Sequence, residues 1–208
     1  NDLLVDNTPG VRAILIYPMN ALVNDQLDRL RELLQDTDIT FGRYTSELAQ
    51  TRQEANRKLE NGKKYLPNEI ISREEIRSGE RIPQILITNY AMLEYLLLRP
   101  DDAPLFQQGK WKYLVLDEAH TYTGAKAIEV SLLIRRLKHR LNLPFGHLRC
   151  IATSATLTQD NAPLAATFAQ NLFGETFTSD DVIFGVTNPD YVPNVNEIYT
   201  LPAEVYLH

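Results

Sequence analysis

Short runs of consecutive apolar residues alternate along this chain with longer segments whose apolar residues recur every three or four positions. The short runs are typical of strands buried on both faces of a sheet, and the longer segments of helices with one buried face. We therefore predict an α/β fold with a mainly parallel sheet flanked by helices. The predicted strands are 11–17, 39–41, 85–87, 111–116 and 148–152, and the predicted helices are 22–34, 48–59, 91–98, 125–141 and one that begins at Asp160 or Asn161.

Local signals set the ends of several of these elements. Ser72 followed by Glu75 fits a capping box that opens one short helix inside an otherwise irregular, charged segment. Gly174 is expected to end the last helix, because glycine readily adopts the left-handed conformation found there. The long helix 125–141 is predicted to bury Ile128, Leu132, Leu133, Leu137 and Leu141.

The strand predicted at 111–116 ends abruptly in acidic residues. Leu114, Val115 and Leu116 are followed directly by Asp117-Glu118-Ala119-His120. Ligands of open α/β folds collect at the carboxyl ends of the strands. Two adjacent carboxylates at that place can hold Mg²⁺ and polarise an attacking water.

Composition narrows the class of protein. The chain has 208 residues, a net charge of −6 and one cysteine. No apolar run approaches the roughly 18 residues that span a bilayer, so we expect no membrane partner and a cytoplasmic location. The acidic balance argues against a protein that coats nucleic acid through overall charge. Because no Lys or Arg follows Arg149, any surface that tracks phosphates must lie before that residue.

Five short motifs in order carry a family resemblance. They are 17–26 (YPMNALVNDQ), 44–45 (YT), 88–90 (TNY), 117–120 (DEAH) and 154–156 (SAT). This order resembles the first RecA-like domain of superfamily 2 helicases, and within it the bacterial DEAD/DEAH-box helicases related to the Lhr and Hrq groups. The resemblance implies a RecA-like, P-loop NTPase type of fold and an ATP-dependent helicase or translocase.

The resemblance also implies roles at the ATP site. Asp117 would organise Mg²⁺, through water, and Glu118 would position or activate the water that attacks ATP. His120 would relay between the nucleotide and a coupling motif. Ser154 and Thr156 would form that motif, which joins ATP hydrolysis to the grip on nucleic acid.

Nucleic-acid contacts are implied at three strand ends. Pro18, Asn20 and Gln26 match a motif in which helix amides receive a backbone phosphate. Thr88 and Asn89 resemble a second phosphate-contacting motif. Tyr44 and Thr45 resemble a short loop that touches the same strand of nucleic acid in relatives. Single-stranded DNA is the expected partner; the subgroup resemblance alone favours DNA over RNA.

The sequence contains no Gly-x-x-x-x-Gly-Lys-Ser/Thr motif, the loop that cradles ATP phosphates. We therefore expect 1–175 to be a partial first RecA-like domain, incomplete at its N-terminal side, and 176–208 to be an extension or interdomain connection. A second RecA-like domain of the parent chain would be the intramolecular partner. The strand 148–152 would then have an open edge, which the tail or a second molecule should cover, giving a possible edge-strand dimer.

Three functional readings remain open. The leading one is a fragment of an ATP-dependent DNA helicase that is inactive in isolation. The first alternative is a non-catalytic RecA-like module that binds nucleic acid or protein, and the second is the motor subunit of a restriction or phage-defence complex. The basic cluster 135–140 is interpreted as the solvated face of a helix and is not assigned as a site.

Overall fold

The computed structural model describes residues 8–58, 64–106, 110–155 and 161–185. Its centre is a six-stranded sheet in the order β3-β2-β4-β1-β5-β6, and every pair of neighbouring strands is parallel. The α/β prediction with a parallel sheet is therefore confirmed. The strands are β1 (Ala13–Tyr17), β2 (Phe41–Tyr44), β3 (Glu69–Ile70), β4 (Ile85–Asn89), β5 (Tyr113–Leu116) and β6 (Arg149–Ala152).

Helices connect the strands and cover both faces of the sheet. They are α1 (Asn20–Leu34), α2 (Arg52–Arg57), α3 (Arg73–Arg77), α4 (Tyr90–Leu98), α5 (Gly124–Leu141) and α6 (Ala162–Phe173). Short 3₁₀ helices occupy Pro100–Phe106, Ala119–Thr121 and Ser179–Asp181. Because each crossover places a helix against the sheet, both faces of the central strands are buried.

Two hydrophobic clusters lie on opposite faces of the sheet, and alternating side chains of β1 contribute to each. Ile14 and Ile16 point to the face that α4, α5 and α6 cover. Tyr17, at the end of the strand, points to the opposite face, against the buried side of α1. Successive residues of a strand point to opposite faces, so a continuous apolar run is what this central position requires.

Two elements near the second strand differ from the prediction. The strand predicted at 39–41 runs from Phe41 to Tyr44 instead. It pairs on its outer side with the two-residue β3, which lies inside the segment predicted to be irregular. Gly42 allows this pairing, since a Cβ there would come within 2.9 Å of the carbonyl oxygen of Ile70.

Two helix predictions are also corrected. The helix predicted from 48 begins at Arg52, because the Thr51 hydroxyl accepts a hydrogen bond from the amide of Glu54 and so caps it. On α5, Ile128 and Leu132 are 63% and 55% exposed. The buried stripe of α5 consists of Val130, Leu133, Ile134, Leu137 and Leu141.

Other local predictions are confirmed. Ser72 and Glu75 form the capping box at the start of α3. Gly174 follows α6 with a φ of 63°, the left-handed conformation that glycine tolerates.

Strand β6 is the outermost strand on its side of the described sheet. Its side chains alternate between exposed and half-buried, and Ile151 is 46% exposed. No strand of the described ranges pairs with its outer edge. Residues 186–208, part of the tail expected to cover it, lie outside the described residues. Within the same ranges, no helix is both long and apolar enough to cross a membrane.

Candidate ATP and nucleic-acid site

The acidic segment follows β5 at the carboxyl edge of the sheet and is tied to both neighbouring strands. The amide of Asp117 donates to the carbonyl of Ile16 in β1 (2.9 Å). On the other side, the amide of Thr153 donates to the carbonyl of Leu116 (3.0 Å), and the amide of Ala119 donates to the carbonyl of Thr153 (2.8 Å). These bonds hold the acidic turn in one position relative to the ends of β1 and β6.

Glu118 lies at the sharp bend of this turn. Its backbone is in the left-handed region (φ 51°, ψ 46°), which costs a non-glycine residue about 1–2 kcal/mol. The carbonyl of Glu118 accepts hydrogen bonds from the amide (2.9 Å) and the hydroxyl (2.8 Å) of Thr121. This conformation leaves the carboxylate 36% exposed at the edge of the sheet, where a water or a ligand can reach it.

Three of the residues predicted to act together lie together. Nδ1 of His120 is 3.2 Å from Oε2 of Glu118 and 3.4 Å from Oγ of Ser154. Both neighbours face the same ring nitrogen, which can donate to Glu118 when it carries a proton or accept from the Ser154 hydroxyl when it does not. His120 therefore lies between the acidic turn and the end of β6. Thr156, the other predicted coupling residue, lies outside the described residues.

The hydroxyl of Thr153 donates a hydrogen bond to Oδ1 of Asp117. Thr153 was not assigned a role from the sequence. The register of the β5–β6 pair explains the contact. Leu116 aligns with Ala152, so the residues that follow them, Asp117 and Thr153, are neighbours. One carboxylate oxygen of Asp117 is thereby held by the protein.

The hydroxyl of Tyr17, at the end of β1, interacts electrostatically with the carboxylate of Asp117. The pKa of the Tyr17 hydroxyl is raised from 10.0 to about 12, first by burial and then by the negative charge of Asp117, against a smaller lowering by Arg29.

Two of the predicted nucleic-acid residues are hydrogen-bonded to each other. The side-chain amide of Asn89 donates to the side-chain oxygen of Asn20 (2.6 Å). Asn89 also caps α4 by accepting from the amide of Met92 (2.7 Å). The starts of α1 and α4 are thus joined at the carboxyl edge of the sheet. The residue before α1, Met19, forms no side-chain cap within the described ranges.

Pro18 and Gln26 are both half-buried. Pro18 precedes α1, whereas Gln26 lies in its second turn, about 9 Å along the axis from Asn20 at 1.5 Å per residue. The structure therefore does not gather these two residues into one contact point.

The remaining predicted contact residues have buried side chains. Thr88 is fully buried, and its hydroxyl donates to the carbonyl of Tyr44 (2.6 Å). Tyr44 is fully buried as well, and its hydroxyl donates to Oδ1 of the buried Asp102 (2.6 Å). Thr45 is also fully buried. The exposure is 0% for each whole residue, main chain included, so none of the three offers nucleic acid a contact surface in this structure, and their contact with it stays a prediction.

Asp102 was not singled out from the sequence, yet it anchors this part of the molecule. Besides Tyr44, its carboxylate accepts from Nε of Arg77 (3.0 Å) and lies 3.5 Å from Nε of Arg99. Arg73 also contacts the loop that follows β2. Its guanidinium lies 5.5 Å from the centre of the Tyr44 ring and donates to the carbonyl of Thr45. The start of the loop after β2 is therefore held by Asp102 and Arg73.

A family model for the DEAD/DEAH box helicase matches residues 1–164. The chain belongs to the DEAD/DEAH box helicase family. The acidic turn after β5 is therefore the DEAH segment of this family, and the predicted resemblance to the first RecA-like domain of superfamily 2 helicases is confirmed.

Individual relatives agree with this family. The chain is 34% identical to the Druantia protein DruE of Escherichia coli (strain UMEA 4076-1), over 82% of this chain and 14% of that protein. It is 26% identical to the uncharacterized ATP-dependent helicase MJ1574 of Methanocaldococcus jannaschii, over 89% of this chain and 24% of that protein. A crystal structure of the DUF1998 helicase MrfA bound to DNA matches 84% of this chain and 21% of its own, with 26% identity and a TM-score of 0.58. The chain thus spans a quarter or less of the length of these relatives.

A DEAD/DEAH box helicase uses ATP, and the DEAH segment has the donors for a hydrated metal ion. Within the described ranges, no group of three or more His, Cys, Asp or Glu side chains could enclose a metal ion. Magnesium differs from tightly caged metals because it keeps several waters and commonly binds through one or two carboxylates together with phosphates. Asp117, with one oxygen held by Thr153, fits such a site.

Proposed function

We propose that this chain is part of the motor of an ATP-dependent DNA helicase or DNA-stimulated ATPase, and that it carries the magnesium and water side of the ATP site. The observation that carries this proposal is the position of Asp117 and Glu118. Both follow β5, and main-chain hydrogen bonds tie their turn to β1 and β6. Preorganised charges at such a position contribute to phosphoryl transfer because they need no rearrangement during the reaction.

Each residue of the DEAH segment has a distinct role in this proposal. Asp117 would hold Mg²⁺ through water, while its hydrogen bond from Thr153 keeps the carboxylate in place. Glu118 would accept a proton from the attacking water, or orient it. His120, between Glu118 and Ser154, would transmit the state of the site to the end of β6. ATP with its magnesium ion would supply the phosphoryl group when bound.

Nucleic acid would bind along the carboxyl edge, at the starts of α1 and α4. Helix N-termini attract phosphate groups through their free amides and the helix dipole. Pro18, Asn20 and Asn89 lie at these two starts, with Gln26 further along α1. Tyr44, Thr45 and Thr88, which are fully buried, would contribute by supporting the loop after β2. The DNA in the MrfA complex supports DNA as the ligand, and we propose single-stranded DNA.

The domain organisation is proposed as well. Residues 1–175 would be part of the first RecA-like domain, and 176–208 an extension or connection to a second RecA-like domain of the same parent chain. Among the described residues no strand pairs with the outer edge of β6, and we propose that another strand of the parent or a second molecule pairs there. A cytoplasmic location and a place in a restriction or phage-defence complex stay predictions.

The test is the rate of ATP hydrolysis by the full-length parent protein and its Glu118→Gln variant, with and without single-stranded DNA. Loss of a group that activates the attacking water typically lowers the rate by about 10²–10⁴-fold, and we expect this loss. Glu129→Gln is the matched control, because Glu129 is exposed on α5. Unchanged turnover in Glu118→Gln would refute the catalytic assignment. A parent that binds DNA but hydrolyses no ATP would favour the non-catalytic binding module.

A further inference from the structure

Three side chains form a cluster beside the DEAH segment that neither the ATP site nor the predicted nucleic-acid residues include. The rings of Tyr90 and Tyr122 meet edge to face, with centroids 6.2 Å apart and an interplanar angle of 87°. The ammonium group of Lys126 lies 4.9 Å from the centre of the Tyr90 ring and 5.1 Å from that of Tyr122. These distances are within the range of cation–π attraction. We call these three residues the tyrosine–lysine cluster.

The members of the cluster belong to different functional segments. Tyr122 is bonded to the DEAH turn, since its amide donates to the carbonyl of Ala119 (3.1 Å). Tyr90 is the first residue of α4 and directly follows Asn89, which is hydrogen-bonded to Asn20. Lys126 lies in the first turn of α5. The cluster therefore spans the space between the DEAH turn and the start of α4.

Tyr122 is placed to transmit small movements. Its side chain is fully buried, and its hydroxyl has no hydrogen-bond partner among the described residues. Burial raises the pKa of this hydroxyl, and the nearby Tyr90 and Asp117 raise it further. An unpaired buried hydroxyl is unfavourable, so the ring is held by packing in the hydrophobic core, which includes its contacts with Tyr90 and Lys126. A close-packed ring with a main-chain bond to the turn cannot shift alone.

We propose that the tyrosine–lysine cluster couples nucleic acid bound at the starts of α1 and α4 to the position of the DEAH turn. This inference rests on the proposed function. A phosphodiester group near Asn89 would attract the Lys126 ammonium and compete with the two rings for it. Any repacking of the rings would then reach Glu118 and His120 through the main-chain bond between Tyr122 and Ala119. The three residues act by positioning other groups and do not touch the reacting atoms.

The experiment uses the full-length parent protein and the ratio of its ATP hydrolysis rates with and without a single-stranded oligonucleotide. In Lys126→Met and Tyr122→Leu, we expect this ratio to fall by about tenfold, the factor for loss of a partly buried cation–π or ring contact. Lys126→Arg keeps the charge and Tyr122→Phe keeps the ring, so both should retain at least half of the wild-type ratio. A purely structural role would lower both rates by the same factor and leave the ratio unchanged.

A matched control removes a charge from the other end of the same helix. Arg140 is exposed in the last turn of α5, about 21 Å along the axis from Lys126 at 1.5 Å per residue. Arg140→Met should leave the ratio at the wild-type value. A fall equal to that of Lys126→Met would show a general effect of net charge and would overturn the proposal.

A second readout measures the coupling at equilibrium. The affinity for a fluorescent oligonucleotide is determined by anisotropy with and without a non-hydrolysable ATP analogue. The factor between the two affinities is the coupling between the sites, and it is reciprocal. We expect this factor to move towards one in Lys126→Met and Tyr122→Leu. If both variants keep the hydrolysis ratio and the affinity factor within twofold of wild type, the cluster does not couple the sites. A wild-type parent without DNA-stimulated hydrolysis would instead refute the proposed function, and the coupling with it.

Discussion

Replacing Asp102 with asparagine tests how much the buried carboxylate contributes to the fold. Asp102 is fully buried and accepts from Tyr44 (2.6 Å) and Arg77 (3.0 Å). Asparagine keeps the shape and can still accept from the Tyr44 hydroxyl, but it removes the charge that Arg77 and the more distant Arg99 face. Hydrogen bonds to charged groups contribute about 1.5–3 kcal/mol each, and breaking a buried ion pair costs about 3–5 kcal/mol.

The side chain of Arg77 is 24% exposed and can partly turn towards water, so we expect the lower end of that range. Asp102→Asn should reduce the free energy of unfolding of the 208-residue chain by about 3 kcal/mol, which lowers the Tm by roughly 6–12 °C for a domain of this size. Urea unfolding followed by circular dichroism measures the first quantity, and a thermal scan measures the second.

Asp101→Asn is the matched control because Asp101 lies in the same 3₁₀ helix with its side chain exposed. Surface substitutions usually change stability by no more than about 0.5 kcal/mol. The proposed contribution of the buried network is wrong if the free energy of unfolding of Asp102→Asn is within about 1 kcal/mol of wild type. It is also wrong if Asp101→Asn lowers that free energy by the same amount.

Three further predictions concern the DEAH segment, the outer sheet and alkaline pH. Thr153→Val removes the hydrogen bond to Asp117, so the parent should need about tenfold more Mg²⁺ for half-maximal ATP hydrolysis. Thr153→Ser keeps the hydroxyl and should need no more Mg²⁺ than wild type; equal Mg²⁺ dependence in the two variants would contradict this role of Thr153. Gly42→Ala places a Cβ 2.9 Å from the Ile70 carbonyl oxygen and should destabilise the chain by about 1–3 kcal/mol in thermal unfolding, while Gly185→Ala, with nothing within 4 Å, should have no effect. The folded chain holds the pKa of Tyr17 at about 12 against 10.0 unperturbed, so this contribution to stability is complete below pH 10 and is lost as pH rises to 12. Urea midpoints across this pH window should fall less steeply in Tyr17→Phe; an identical slope would argue against the shift.

Part of the candidate site follows from local sequence alone. An apolar run that stops at Asp117 and Glu118 must deliver both residues to the end of a buried strand, whatever the neighbouring strands are. A contact between Ser154 and the DEAH segment was also expected, from the family resemblance, and the roles of His120 and Ser154 stay predictions. The contact between Thr153 and Asp117 was missed because it depends on which strand lies beside β5 and in which register.

The burial of three predicted contact residues could not be predicted from local sequence. Tyr44, Thr45 and Thr88 are polar residues at strand ends for which the family resemblance implies contact with nucleic acid. Tyr44 is buried against Asp102, which lies 58 residues further along the chain, and the Thr88 hydroxyl is bonded to the Tyr44 carbonyl from another strand. Local periodicity carries no information about such a distant partner.

The sequence by itself determined the alternation of strands and helices, the capping box at Ser72 and the acidic end of β5, because each depends on side chains within a few residues of one another. Only the tertiary structure decided the strand order, the short β3, the outward position of Ile128 on α5 and the cluster of Tyr90, Tyr122 and Lys126. The physical reason is that these features arise from pairing and packing between segments far apart in the chain. A segment's own pattern restricts which face it buries, and the rest of the molecule determines what covers that face.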